Sequence, residues 1–236
     1  MLRVVTVYPD LLGTYGDRGN GIVLARRASL RGIEAVHVEA RSDGPLPRAD
    51  IYCIGGGEDG PQQLAVERLE RDSTLRGRVS DGAVVLAVCA GLQVLGRSFA
   101  VGDGTRAEGL GLFALDTVAS GGPRAVGEVV VDGDAAYLPL TGFENHAGRT
   151  VRDEGLAPLG RVTTGVGNGD GTDGALEGRL VGTYLHGPVL ARNPALADWL
   201  LALAIGTDGL ATIDPDPSRS LHDERLGAAT RARAAR

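Results

Sequence analysis

The sequence predicts an α/β protein built on a doubly wound, mostly parallel sheet with an antiparallel extension. Three observations predict it. Short β-branched runs alternate with helix-like segments as far as Gly96, which is the pattern of βαβ units. Ala83 to Val88 is apolar without a polar break, as an inner strand buried on both faces must be. After Gly96 the texture changes: glycine becomes frequent and the β-like pieces shorten. The 236 residues are ample for one such domain and small for two.

Leu2 to Tyr8 is the first strand, stopped by Pro9-Asp10. Leu11 to Asn20 is a polar, glycine-punctuated turn, and a helix follows from about Gly21 to Leu30, closed by Gly32. Ala35 to Val38 is a second strand, and Arg41 to Pro47 a loop. Ile51 to Ile54 is a third strand running into Gly55-Gly56-Gly57. A helix starts near Pro61, a residue suited to a first turn, and carries Leu64, Val66 and Leu69. The apolar run to Val88 is the central strand. It meets Cys89-Ala90-Gly91 and then helix-like Leu92 to Leu95. Gly111–Val118, Val126–Val131 and Leu159–Thr164 supply the antiparallel extension. Gly142 to Thr150 is a polar loop and Gly165 to Gly174 a flexible hairpin loop. Arg179 to Leu185 is a further strand, ending at His186-Gly187-Pro188. Asn193 caps a last helix with Pro194 at its first position. Residues 1–206 form the domain. Residues 207–236 lose apolar periodicity and read as a loosely ordered tail with at most one short helix.

Composition excludes several functions. The net charge of −6 argues against a general nucleic-acid or membrane-surface binder. All 24 basic residues are Arg. Without lysine there is no G-x-x-x-x-G-K-[ST] phosphate loop and no Schiff base, so ATP chemistry needs another device or another chain. Two cysteines are too few for a disulfide framework. No segment reaches transmembrane length and the apolar start is too short for a signal peptide, so a cytoplasmic protein with no membrane insertion is expected. No His/Cys cluster has zinc spacing, and Tyr15 to Asn20 lacks the carboxylates of a calcium loop, so no metal is expected.

The chemistry centres on Cys89. A cysteine between a buried strand and a helix stands at the carboxyl edge of the sheet, where open α/β sheets place ligands. The amides of the following helix favour thiolate over thiol. The competing reading is a core cysteine that ends a strand. A thiol nucleophile needs a base brought to it in space. Of the four histidines, His186 ends a buried strand at that same edge and is favoured over His146 in its polar loop; His37 and His222 have no such setting. Gly55-Gly56-Gly57 reads either as a tight strand-to-helix turn or as bare N–H groups facing an oxyanion. In the second reading Gly56, Gly57 and Ala90 are the donors. Arg124, in a loop of small residues, is the candidate for holding a substrate carboxylate. Gln93 is a second candidate contact.

These pieces together resemble a class I glutamine amidotransferase of the CobB/CobQ-like family. The resemblance rests on the Cys89 elbow, the triple glycine and Gly182-Thr183-Tyr184-Leu185-His186-Gly187-Pro188. Tyr8-Pro9-Asp10, Tyr15-Gly16-Asp17-Arg18-Gly19-Asn20, Gly142-Phe143-Glu144-Asn145-His146 and Gly148-Arg149-Thr150 carry it further. It spans about Leu2 to Ile205 and implies a flavodoxin-like domain. The same motifs resemble the branch that serves lipid II isoglutaminyl synthase. What it implies is hydrolysis of L-glutamine by Cys89 and His186, with Arg124 binding the substrate. Ammonia would pass to a Mur-ligase-like partner, MurT, which uses ATP to amidate the α-carboxylate of D-glutamate in the lipid II stem peptide. No cofactor is implied in this chain. Alternatives are a glutaminase for cobyrinate amidation and a non-catalytic flavodoxin-like binding module. Two positions depart from the family pattern. Pro188 stands where many relatives have an acid, so the expectation is a dyad whose orienting acid comes from the partner. Ala87 stands where glycine is frequent.

Overall fold

The computed structural model describes residues 1–102 and 104–234. The first half runs β1 (Leu2–Val7), α1 (Gly19–Ser29), β2 (Ala35–Ala40), β3 (Ile51–Ile54), α2 (Asp59–Asp72), α3 (Thr74–Ser80), β4 (Val84–Val88) and α4 (Ala90–Leu95). Short strands follow: β5 (Ser98–Ala100), β6 (Arg106–Glu108), β7 (Leu115–Ala119), β8 (Ala125–Asp132), β9 (Leu140–His146), β10 (Gly148–Arg152), β11 (Gly160–Thr164), β12 (Thr172–Asp173) and β13 (Ala175–Glu177). The chain returns to the first sheet as β14 (Leu180–Thr183) and ends in α5 (Val189–Arg192), α6 (Pro194–Ile205) and α7 (Pro217–Ala234).

The main sheet has the order β13-β14-β4-β3-β1-β2, parallel throughout except for the edge strand β13. Val84 to Val88 is buried residue by residue, as its unbroken apolar spelling requires. From β1 the chain crosses to β2 in one direction along the sheet, and from β3 to β4 in the other. Right-handed crossovers therefore put α1 and α2 on opposite faces, and the switch point lies between β1 and β3. The extension forms two four-stranded sheets, β10-β7-β5-β6 and β12-β11-β8-β9. All their pairings are antiparallel except β5 with β7. The fold class is as the sequence predicts. No helix among the described residues is long and apolar enough to cross a membrane.

Three local expectations need correction. Gly142 to Thr150 is not a loop: it is the end of β9 and the start of β10. Its polar spelling hides a strand whose inward side chains, Glu144 and His146, are themselves polar. The Gly165–Gly174 segment is a loop, but a pinned one. Val166 and Gly167 N–H donate to the Glu144 carboxylate at 2.7 and 2.9 Å, and buried Asn168 bonds Gly174 in both directions. Finally, the segment after Thr207 is not loose through its described length. It carries the 18-residue α7, docked through Asp216 to buried Arg27 at 2.9 Å.

Candidate active site

Cys89 sits directly beyond β4 with φ 52° and ψ −107°, a conformation that costs a non-glycine residue energy. Its N–H is held by Thr183 O of β14 at 2.8 Å, and its carbonyl accepts Gln93 N–H at 3.1 Å. The sharp turn closes because Gly91 lets α4 lie on β3, where a Cβ would come within 2.7 Å of Ile54 O. The thiol consequently stands at the carboxyl edge of the sheet and lines a cavity of about 320 Å³, at the small end of ligand sites.

His186 follows β14, the strand beside β4. Its backbone pairs with Phe143 of β9 through N–H···O bonds of 2.8 and 3.1 Å, so the extension sheet holds the histidine in place. The imidazole is 1% exposed. Its Nδ1 donates to Asp17 Oδ2 at 2.7 Å. Its Nε2 is buried and has no hydrogen-bond partner among the described residues, and the neighbouring Cys89 acts on it electrostatically. Burial alone would lower the pKa of this imidazolium. The hydrogen bond that Nδ1 donates to Asp17 and the proximity of Cys89 outweigh burial and raise it to about 10. The structure thus brings Cys89 and His186 together and adds a carboxylate behind the imidazole.

That carboxylate corrects the expectation of an acid supplied by the partner. Asp17 lies in the turn after β1, 169 positions from His186 in sequence, and is buried. Position 188 has another task. The Pro188 ring packs on Gly19, where a Cβ would come within 2.5 Å of its Cγ. Two residues on, Leu190 N–H donates to Asn20 Oδ1 at 3.0 Å. The segment Tyr15 to Asn20 therefore docks onto the chain after His186, and Asp17 arrives with it.

The triple glycine is explained mainly by the same docking. A Cβ at Gly55 would meet Leu12 O at 2.5 Å, and one at Gly57 would meet Leu11 O at 2.9 Å. One at Gly56 would meet His186 Cε1 at 2.7 Å. The Gly56 N–H donates to Asp17 Oδ2 at 2.9 Å. Gly56 is therefore committed to the acid, and the expectation that it faces an oxyanion is withdrawn. Gly57 lines the cavity with Cys89, and Ala90 opens α4, where the first N–H groups have no intrahelical acceptor.

Arg124 and Gln93 line the cavity as well. Gln93 is tied on both ends of its amide: Oε1 accepts Gln62 Nε2 at 2.9 Å, and Nε2 donates to Tyr184 Oη at 3.3 Å. Arg124 is steered by Asn145, whose Oδ1 accepts Nε and whose backbone carbonyl accepts Nη2 at 3.1 Å. Its Nη1 makes no bond to a described residue, so the guanidinium keeps donors for a ligand. His146, the rejected alternative base, bonds Gly148 O at 3.1 Å and Glu144 Oε2 at 3.2 Å and stacks on Tyr184 at 3.8 Å. Both of its ring nitrogens are occupied. His37 bonds Thr6 Oγ1, and His222 bonds Arg192 O, each away from Cys89.

A model of the CobB/CobQ-like glutamine amidotransferase domain matches residues 3–194. The chain belongs to that family. It is 39% identical over 217 residues to the GatD subunit of lipid II isoglutaminyl synthase (glutamine-hydrolyzing) from Staphylococcus aureus, covering 89% of this chain and 88% of the relative. The subunit of the same name from Streptococcus pneumoniae is 32% identical over 209 residues, covering 86% and 80%. The solved PurLQS structure from Thermotoga maritima superposes with a TM-score of 0.55 at 15% identity, over 95% of this chain and 99% of that one. At that identity the likeness concerns the fold alone.

Proposed function

We propose that this chain is the glutamine-hydrolysing subunit of a lipid II isoglutaminyl synthase. Its reading as a glutamine amidotransferase follows from its family, and the subunit assignment draws on the names of the two relatives. The observation that carries the chemistry is the line Cys89, His186, Asp17, with Cys89 and Arg124 both in the wall of one small cavity.

The mechanism follows from those positions. Glutamine enters with its α-carboxylate on Arg124 and its side-chain amide at Cys89. The sulfur attacks the amide carbon, and the Gly57 and Ala90 N–H groups stabilise the oxyanion. The C–N bond breaks as imidazolium His186 protonates the nitrogen, which leaves as ammonia. Cys89 now holds a glutamyl thioester. Neutral His186 takes a proton from water as the hydroxyl attacks, and glutamate departs with the sulfur regaining its starting state. Asp17 fixes the Nδ1–H tautomer and stabilises the imidazolium in both steps.

The ammonia serves a second subunit, a Mur-ligase-like protein of the MurT type that activates the acceptor carboxylate with ATP. The absence of a lysine phosphate loop from this chain supports that division. We place the protein in the cytoplasm, where its two free cysteines stay reduced. The test combines the full chain with the ligase, ATP, lipid II and glutamine. Glutamate and amidated lipid II should appear together, the latter seen by mass spectrometry. Glutamate release with no amidated lipid II, but with amidation of a corrin acid by that acid's synthetase, would assign the chain to the cobyrinate reading instead.

A further inference from the structure

Tyr15 is an unusual residue to find at the mouth of this cavity. It is 47% exposed, and its φ of 55° lies in the region that non-glycine residues avoid. A large aromatic side chain held in water on a strained backbone needs a reason. Its contacts supply one. The ring lies 4.8 Å from the His186 ring and 6.0 Å from Phe143, so it covers one side of the imidazole. Its hydroxyl accepts a hydrogen bond from Asn145 Nδ2. The other end of that same amide, Oδ1, accepts Arg124 Nε.

Asn145 is therefore read in one orientation by two partners. The guanidinium demands the oxygen, and the phenol takes the nitrogen. Remove the phenol oxygen and only the guanidinium still holds the amide, whose NH2 is left without its acceptor and free to draw the side chain off toward water. Arg124 would then be aimed by one bond in place of two, the one from Nη2 to the Asn145 backbone carbonyl. At the other end of the chain of contacts, Tyr15 rests on the imidazole. Arg124 and His186 are thus joined through Asn145 and Tyr15.

We propose that Tyr15 is a positioning residue that couples the arginine's hold on the amino-acid end of glutamine to the placement of the imidazole at its amide end. This deepens the glutaminase reading and rests on it. A substrate carboxylate on Arg124 holds the guanidinium, which holds the Asn145 amide, which holds the phenol over His186. An empty or wrongly filled cavity leaves that chain slack. The site then favours ligands that carry an α-carboxylate over simple amides.

The experiment uses the full chain. Glutamine turnover is measured with Cys89 intact, and glutamine binding by calorimetry in a Cys89→Ser background. Tyr15→Phe keeps the ring and removes the oxygen. It should raise both KM and Kd about 3–10-fold, the worth of one neutral hydrogen bond, while kcat stays within about twofold. Asn145→Ala should do the same, and the double variant should be no worse than the weaker-binding single one, because both cut one chain of contacts. Tyr15→Ala should in addition lower kcat, with Phe restoring it. Unchanged Kd in Tyr15→Phe overturns the proposal, as do additive effects in the double variant or a wild-type kcat in Tyr15→Ala. A wild-type chain that binds glutamine without turning it over refutes the glutaminase reading, and the Kd comparison still decides the coupling. A chain that does not bind glutamine at all refutes both.

Discussion

Cys53 and Cys89 sit on neighbouring strands of one sheet, and both are buried. Their chemistry could hardly differ more. Cys53 lies within β3, opposite Leu86 of β4 and Thr6 of β1, and burial pushes its thiol up to about 12. No charged group offsets that burial. Cys89 lies one residue past the end of its strand, on a strained backbone, beside an imidazolium that Asp17 sustains. Burial is common to both. What separates them is position: the end of a strand admits partners from other segments, and the middle of a strand does not. Residue type alone therefore says little about reactivity here.

The largest expected effect breaks the comparison outright. Cys89→Ser should lower kcat for glutamine hydrolysis by at least about 10³-fold, since a hydroxyl beside the same imidazole is a far weaker nucleophile. Iodoacetamide at neutral pH should label Cys89 in the folded wild type and leave Cys53 untouched until the chain is unfolded. Labelling at Cys53 first, read by peptide mass spectrometry, would reverse the assignment.

A second substitution should move Cys89 toward the condition of Cys53. Asp17→Asn removes the charge behind His186 while keeping the shape. The imidazolium, held at about 10 in the native protein, then loses its main support against burial and its pKa falls. Activity that needs the protonated ring should be lost at lower pH than in wild type, and kcat should drop roughly 10²-fold. Stability should respond with the same sign. A raised folded-state pKa stabilises fully below the unfolded value of 6.5 and is lost as pH climbs toward about 10. Denaturant titrations between these limits should show a pH dependence in the wild type that shrinks in Asp17→Asn.

Cys89 and His186 were legible in the sequence because their signals are local. An unbroken apolar strand, a run of small residues and a helix announce the first, and a buried strand ending in His-Gly-Pro announces the second. Asp17 was not legible, since its partner lies 169 positions away and its own surroundings spell a polar turn. One signal could have found it: the turn leaves β1 at the switch point of the sheet, beside the glycines that follow β3. Glu144 and His146 were hidden differently. Their strand turns these polar residues inward, so alternation of polar and apolar residues gave no warning. The docked α7 escaped because its anchor, Asp216 on Arg27, again joins distant segments. Local spelling predicted the strands, the elbow and the Cys–His choice; contacts across the fold supplied the acid, the glycine roles and the tail.

Binding can be separated from reactivity by a smaller change. Arg124→Ala removes the guanidinium from the cavity wall and leaves the side chains of Cys89, His186 and Asp17 themselves unaltered. KM for glutamine should rise about tenfold or more, with a lesser effect on kcat, because a charge-assisted contact to carboxylate is lost. An unchanged KM would remove Arg124 from the binding site.

The smallest effect tests the inert member of the pair. Cys53→Ala deletes a sulfur from a core position that is 2% exposed. The neighbours on β1 and β4 are backbone-paired and cannot close in fully, so a small void remains. Unfolding free energy should fall by about 1 kcal/mol, while kcat and KM stay at wild-type values. Cys53→Ser should cost more than Cys53→Ala despite its closer size, because a hydroxyl placed in this apolar setting loses its hydration. A Cys53→Ala variant with normal stability and impaired turnover would mean that the buried thiol takes part in the chemistry, and the contrast between the two cysteines would collapse.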